Sequence, residues 1–178
     1  MLFRSNIDAT GATPTFSAAS LDGTSSRTVG LRVTDNKGAM SGIATATVNI
    51  VNVSPTATDD SGASYAVASN STLTTPNVLL NDTDPSASDP LTVVAINTSS
   101  TLGVVINNGN GTFTYNPNGA FNSLMLGQSA ADYFTYTISD GDGGSSTATV
   151  TVTINGVNDA PVITSNGGGA SEIGRAHV

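Results

Sequence analysis

The chain has 178 residues, a formal net charge of −8, no cysteine and no tryptophan, and only 10% of its residues are charged. Without cysteine no disulfide framework can form, so the fold must be held by a hydrophobic core or by metal. No Lys or Arg occurs from Gly38 to Ser171, which excludes a nucleic-acid surface because nothing there could neutralise phosphate. No apolar run approaches the length of a membrane span.

Residues 6–55 contain a first pair of predicted strands. The apolar residues on either side of a turn at 35–38 alternate with polar ones, and they are Val29, Leu31, Val33, Ala44, Ala46, Val48 and Ile50. Strict alternation predicts a β-strand with one buried face, so the two runs predict a β-hairpin. We interpret residues 6–55 as the C-terminal strands of a truncated β-sandwich repeat, and we expect this hairpin to lack partners for its apolar face.

Residues 56–162 are predicted to form one complete sandwich. Short strands are expected at 64–67, 72–74 and 91–96, and a hairpin at 103–106 and 112–115 surrounds Asn-Gly turn signals. A turn or a single helical turn at 77–84 is expected to carry Val78, Leu79 and Leu80 inward. The loop at 121–132 is expected to contain a partial helical turn. No sustained helical periodicity occurs.

The strongest pattern is a second hairpin that begins at Asp132. Its predicted buried positions alternate on both sides of an Asp140-Gly-Asp-Gly-Gly turn, and they are Phe134, Tyr136, Ile138, Ala148, Val150, Val152 and Ile154. Asp140 matches Asp35 of the first hairpin, 105 positions earlier. A repeat of this length corresponds to one Ig-sized sandwich per unit. The predicted fold class is therefore an all-β, Ig-like antiparallel sandwich.

The order of motifs at 139–161 carries a family resemblance. An S-D-G-D-G-G turn, a Thr/Val strand and a terminal N-D-A-P linker follow one another, and residues 56–163 resemble a cadherin-like (VCBS-type) tandem repeat of bacterial surface proteins. The first hairpin resembles the end of a PKD- or cadherin-like repeat. The resemblance implies a non-catalytic spacer or adhesive repeat of a secreted or cell-surface protein, active in adhesion or biofilm formation. The implied partners are neighbouring repeats, other cell-surface proteins or glycans.

The same resemblance implies calcium at the ends of the module. The candidate ligands are Asp59, Asp60, Asp82, Asp84, Asp140, Asn158 and Asp159. Two aspartates at i and i+2, as at Asp82 and Asp84, can converge on a hard cation, which takes six to eight oxygens. The alternative is that these aspartates, together with Asp89 and Asp142, serve only as solvated turn residues. The linkers also depart from the cadherin pattern, because Val53 and Gly156 replace aspartates.

Catalysis has little support in the sequence. The chain has no cysteine, and its single His177 and single Glu172 lie in the terminal tail. A serine nucleophile without a base is not activated. The alternative function is an accessory, carbohydrate-binding module of a secreted hydrolase, which would need exposed aromatic residues from among Tyr65, Tyr115 and Tyr133.

Both ends resemble translated sequencing adapters. The segments concerned are Leu2–Ser5 and Ile173–Val178. We therefore expect residues 1–5 to be non-native and residues 163–178 to form a disordered, partly non-native tail.

Overall fold

The computed structural model describes residues 23–86 and 89–158. Nine strands account for the regular structure of this part of the chain, together with two single 3₁₀ turns at Ala63–Tyr65 and Val78–Leu80. In chain order the strands are β1 (Ser25–Leu31), β2 (Ala44–Ile50), β3 (Ala66–Ala68), β4 (Leu73–Thr74), β5 (Thr92–Asn97), β6 (Val104–Asn107), β7 (Phe113–Asn116), β8 (Ser129–Ser139) and β9 (Ser145–Asn155).

Strands β3 to β9 form a two-sheet sandwich. One sheet has the order β3-β9-β8-β5 and the other the order β4-β7-β6. All pairs are antiparallel except β3 with β9, which run parallel. An alternation of strands between two facing sheets is the Ig-like arrangement, so the predicted fold class is confirmed.

The core lies between the two sheets and follows the predicted alternation. The residues of the β8–β9 hairpin assigned to the buried face are all buried, and Phe134 pairs with Val150 across the two strands. From the opposite sheet Phe113 packs edge-on against Phe134, with ring centroids 5.0 Å apart. Such a T-shaped contact is the favoured geometry for two aromatic rings. The register of the hairpin is therefore the one that the sequence predicts.

Three local predictions differ from the structure. The short strand expected at 64–67 begins only at Ala66, and Tyr65 closes a 3₁₀ turn. Val78 is fully buried as predicted, but Leu80 is 81% exposed. A 3₁₀ turn has three residues per turn, so three consecutive side chains cannot all face the core. The expected partial helix within 121–132 is absent from the described structure, because turns lead directly into β8 at Ser129.

The first hairpin forms a separate two-stranded sheet of β1 and β2, with Val29 opposite Ala46. Most of its residues are exposed, including the predicted apolar face at Leu31 and Ala44. This exposure agrees with a hairpin whose apolar face has no facing sheet. The predicted non-native ends at 1–5 and 163–178 lie outside the described residues.

Candidate functional site

The end of the sandwich where the chain enters from β2 brings distant segments together. The Asn52 side-chain amide donates a 2.7 Å hydrogen bond to an Asp140 carboxylate oxygen in the β8–β9 turn. Further along, the Ala57 N–H donates to the Ser146 hydroxyl at 3.1 Å. Residues 52–57 are thus fastened to the start of β9 by side-chain and backbone groups. We call this set of contacts the entry junction.

The close approach at this junction requires a glycine. A Cβ added to Gly144 would lie 2.8 Å from the Cα of Ser54 and 3.0 Å from the Asn52 amide nitrogen. Contacts below 3.0 Å force neighbouring backbone to shift, so any larger residue at 144 would push the entry segment away from the turn. The third glycine of the S-D-G-D-G-G motif, Gly144, therefore has a role beyond the turn itself.

Asp140 is a buried residue that organises its own turn. One carboxylate oxygen accepts the backbone N–H groups of Asp142 and Gly144, both at 2.9 Å. The other accepts the Asn52 amide, and these hydrogen bonds, led by that of Asn52, lower the pKa of Asp140. Asp35, its counterpart in the first hairpin, accepts the N–H groups of Lys37 and Ala39 at the same i+2 and i+4 spacing. The aspartate is therefore a turn-capping residue in both hairpins.

A second acidic group lies around the hydroxyl of Tyr136. This hydroxyl is 3.0 Å from Asp60 Oδ2 and 3.2 Å from each carboxylate oxygen of Asp82. The Tyr65 hydroxyl donates to the other oxygen of Asp60 at 2.8 Å. A phenol has one proton, so Tyr136 can donate to Asp60 or to Asp82 but not to both at once. We call Asp60, Asp82 and Tyr136 the shared-phenol cluster.

The electrostatics of the shared-phenol cluster disfavour two negative charges. Burial raises the pKa of Asp60, and the charge of Asp82 raises it further. Burial also raises the pKa of Asp82. The pKa values of Tyr136 and Tyr65 are raised as well, first by burial and then by the neighbouring carboxylates, so both phenols keep their protons. No Lys or Arg of the module can offset the carboxylates, because none occurs in residues 38–171.

Two local features bring Asp60 and Asp82 together. Asp60 pairs with Val150 of β9 in a parallel bridge, and Thr56 forms a bridge with Thr83 beside Asp82. The Asn81 amide spans the gap by donating to the carbonyl oxygens of Thr58 and Asp59. Asp82 also accepts the Thr58 N–H at 2.8 Å. Residues 56–60 and the turn after β4 are therefore joined by several hydrogen bonds.

The other predicted ligands occupy separate positions. Asp59 is exposed and accepts the Thr149 N–H at 2.8 Å. One oxygen of Asp84 accepts the Ser86 N–H at 2.7 Å, while Asp84 Oδ2 is buried and has no hydrogen-bond partner among the described residues. Asp142 is exposed in its turn, Asp89 is half-buried, and Asn158 is exposed after β9. Asp159 lies outside the described residues.

The geometry constrains any metal site. Over residues 23–86 and 89–158, no three acidic or histidine side chains converge in a way that could hold an ion. Asp60 and Asp82 converge as a pair on the Tyr136 hydroxyl, whereas Asp84 does not join them in a three-carboxylate group. The described carboxylates thus offer part of a calcium shell, and carbonyl oxygens, hydroxyls or water would have to complete it.

A further buried aspartate, Asp132, lies near the start of strand β8. Its carboxylate accepts the Tyr115 hydroxyl at 2.7 Å and the N–H groups of Leu102 and Gly103 at 3.0 and 2.9 Å. Asp132 was not among the predicted site residues. The signal was available, because the alternation that buries Phe134 and Tyr136 also buries position 132, and a buried carboxylate needs partners.

Comparison with known proteins gives one family. The bacterial cadherin-like domain family matches residues 52–156. No curated protein matches the chain. Among solved structures, endo-fucoidan hydrolase MfFcnA9 from glycoside hydrolase family 107 matches with 17% identity and a TM-score of 0.33. That match covers 80% of this chain, which spans 26% of the length of the hydrolase chain.

Proposed function

Because the chain belongs to the bacterial cadherin-like domain family, we propose that it is a structural or adhesive spacer repeat of a longer secreted or cell-surface bacterial protein. Domains of this family are typically non-catalytic and extracellular. No helix within the described residues is long and apolar enough to cross a membrane. The mechanical role of such a module is to hold its neighbours at a fixed distance and orientation.

The observation that carries this proposal is the entry junction. The Asn52–Asp140 hydrogen bond joins the segment that follows β2 to the turn of the β8–β9 hairpin. The Ala57–Ser146 contact and the close packing of Ser54 on Gly144 fix the same segment at two more points. A linker held at three points cannot swing freely, so the preceding hairpin and the module behave as one stiff unit.

The alternative function, a carbohydrate-binding accessory module, depends on exposed aromatic residues. Tyr65 and Tyr115 are buried, and their hydroxyls are engaged by Asp60 and Asp132. Tyr133, at 51% exposure, is the single exposed aromatic residue within the described part of the chain. One ring does not form a stacking platform for a sugar, so the described surface favours the spacer.

We further propose that calcium stiffens the entry end of the module. The support comes from the shared-phenol cluster, where two carboxylates compete for one phenol proton and no cation of the module lies nearby. A divalent ion between Asp60 and Asp82 would remove their repulsion, and Asp84, whose Oδ2 has no partner among the described residues, would have to turn toward the ion to add a third carboxylate. Bound there, calcium would supply positive charge that links the segment at residues 56–60 to the turn after β4.

The experiment that tests the spacer function is the sequence of the flanking reading frame in the source DNA. A spacer predicts further β-sandwich repeats of about the same length on at least one side. A catalytic domain joined directly to this module, with no further repeats, would favour the accessory role instead.

A further inference from the structure

The open end of the first hairpin contacts the β8–β9 turn through both of its strands. Strands β1 and β2 are antiparallel, so Gly23, just before β1, and Asn52, just after β2, lie at the same end of the hairpin. The Asn52 amide donates to Asp140. A Cβ added to Gly23 would lie 2.8 Å from a carboxylate oxygen of Asp142, so the main chain there packs directly on that side chain. Both aspartates of the turn therefore touch the preceding hairpin.

The turn receives a single asparagine side chain from the preceding segment. Asp140 Oδ1 accepts the two backbone N–H groups of its own turn, and Oδ2 accepts the Asn52 amide at 2.7 Å. Asp140 is only 3% exposed, so a second amide has no access to its carboxylate. Asn52 thus fills this turn, and another asparagine with the same role must find the turn of a different repeat.

The segment after β9 repeats the segment after β2. Residues 155–161 read N-G-V-N-D-A-P, and residues 49–55 read N-I-V-N-V-S-P, 106 positions earlier. The two segments also share their burial, since the first residue of each is exposed and the second is buried. Asn158 takes the place of Asn52 in this repeat. Asn158 is exposed, whereas Asn52 is half-buried against the module that follows it.

We propose that Asn158 docks the next repeat of the array, its side-chain amide donating to the first aspartate of a D-G-D-G-G turn there, as Asn52 donates to Asp140. The inference rests on the proposed spacer function, which supplies the further repeat. A hydrogen bond from an amide to a carboxylate is charge-assisted and so stronger than one between neutral groups. The partner turn must also have glycine at the position of Gly144, where a Cβ would meet the incoming backbone. The turn of the first hairpin has Ala39 at that position and does not meet this requirement.

A chain in which residues 56–161 occur twice in succession tests the contact, because Asn158 of the first copy then precedes a second complete module. Ile106→Cys in both copies places two spin labels at exposed positions of a chain that otherwise has no cysteine. Electron double resonance should give one narrow distance distribution between the labels. Asn158→Ala in the first copy should broaden this distribution. Asn122→Ala in the first copy, which changes an exposed asparagine outside the contact, should not.

An exchange of the two partners distinguishes a hydrogen bond from a calcium contact. With a chelator present, Asn158→Asp in the first copy should broaden the distribution, because two carboxylates then face each other. Adding Asp140→Asn in the second copy should narrow it again. The new amide still accepts the N–H groups of its turn through its oxygen, and its nitrogen can donate to the carboxylate now at position 158.

Several results would overturn the docking role of Asn158. They are a broad distribution in the parent chain, no effect of Asn158→Ala, and an exchange that fails to restore the narrow distribution. A distribution that stays narrow in Asn158→Asp only when calcium is added would make residue 158 a metal ligand instead. In the unextended chain Asn158→Ala should leave the melting temperature unchanged, and a decrease would mean that Asn158 acts within its own module. The spacer function fails separately, since it depends on Asn52, and a failure at Asn158 alone leaves it standing.

Discussion

Asn52 and Asp140 are 88 positions apart in the chain, yet their side chains form a 2.7 Å hydrogen bond. The bond joins the segment that enters the sandwich to the turn of its longest hairpin. The same aspartate caps that turn by accepting two backbone N–H groups. Asp140 therefore couples the local geometry of the β8–β9 turn to the direction in which the segment after β2 enters the module.

The core of the β8–β9 hairpin gives the first prediction. Ile154→Ala should destabilise the chain by about 2–5 kcal/mol, because it removes a fully buried side chain and leaves a cavity. The neighbouring Thr153→Ala should cost at most about 0.5 kcal/mol, because Thr153 faces the other side of the strand. Urea unfolding measures both changes. Equal losses at the two positions would mean that the strand's buried face is assigned wrongly.

The buried pair of Tyr115 and Asp132 gives the second prediction. Tyr115→Phe removes the hydroxyl that donates to the Asp132 carboxylate at 2.7 Å, so a buried acceptor loses a partner. The expected cost is about 1–3 kcal/mol in the free energy of unfolding. Tyr133→Phe is the matched control, since Tyr133 is exposed. If the two variants unfold at the same urea concentration, the buried hydrogen bond contributes nothing to stability.

The shared-phenol cluster predicts an unusual dependence on pH. A carboxyl group whose pKa is raised on folding favours the folded state when protonated, and that stabilisation is lost as pH rises through the raised pKa. The pKa values of Asp60 and Asp82 are both raised, so acidification from pH 7 toward the ordinary aspartate pKa of 3.8 should increase the melting temperature. The pKa of Asp140 is lowered, so the stability it contributes is lost as the pH falls. The increase in melting temperature should therefore reverse at more acidic pH.

Asp82→Asn isolates this effect. The variant should melt at a higher temperature than wild type at pH 7 without calcium, because one of two competing charges is gone. Acidification from pH 7 should raise its melting temperature less than it raises that of the wild type. Asp142→Asn, which changes an exposed aspartate, should retain the wild-type pH profile. A lower melting temperature for Asp82→Asn at pH 7 would show that the two carboxylates do not repel.

Calcium linkage is the fourth prediction. An ion that binds only the folded state stabilises it by RT ln(1 + [Ca²⁺]/Kd), about 2.7 kcal/mol at one hundred times Kd. Extracellular calcium modules have Kd values of about 10⁻⁴ to 10⁻³ M. Calcium at about 10 mM, ten times the upper end of that range, should therefore raise the melting temperature, and magnesium at equal concentration should do less.

The double variant Asp82→Asn/Asp84→Asn should lose most of the calcium response while remaining folded, whereas Asp142→Asn should keep it. Sodium chloride at matched ionic strength controls for simple screening of the acidic chain. A melting curve unchanged by calcium would remove the proposed metal and leave the spacer proposal intact.

Much of the fold was predictable because period-two alternation defines a buried face without knowledge of the partner sheet. Phe134, Tyr136 and Ile138 are buried as predicted, and the predicted membership of the bacterial cadherin-like family is confirmed. The exposed Leu80 was mispredicted because three consecutive apolar residues suggest burial, while a 3₁₀ turn can bury only part of them.

The candidate site was less predictable, because its contacts join segments that are far apart in sequence. Asp60 and Asp82 lie in different sequence motifs, and nothing in either motif indicates that both meet the Tyr136 hydroxyl. The capping role of Asp140 is different. Its spacing to Asp142 and Gly144 repeats that of Asp35 to Lys37 and Ala39, so the internal repeat contained the information.

The most direct test of the stiff entry junction is a distance measurement across it. The chain has no cysteine, so Thr47→Cys on β2 and Ser129→Cys on β8 would carry the only two spin labels, both at exposed positions. Electron double resonance should give one narrow distance distribution in the wild-type background. Asn52→Ala should broaden it, since the bond to Asp140 is lost, while Asn122→Ala, an exposed change outside the junction, should not. A broad distribution in the wild-type background, unchanged by Asn52→Ala, would contradict the stiff junction on which the spacer function rests.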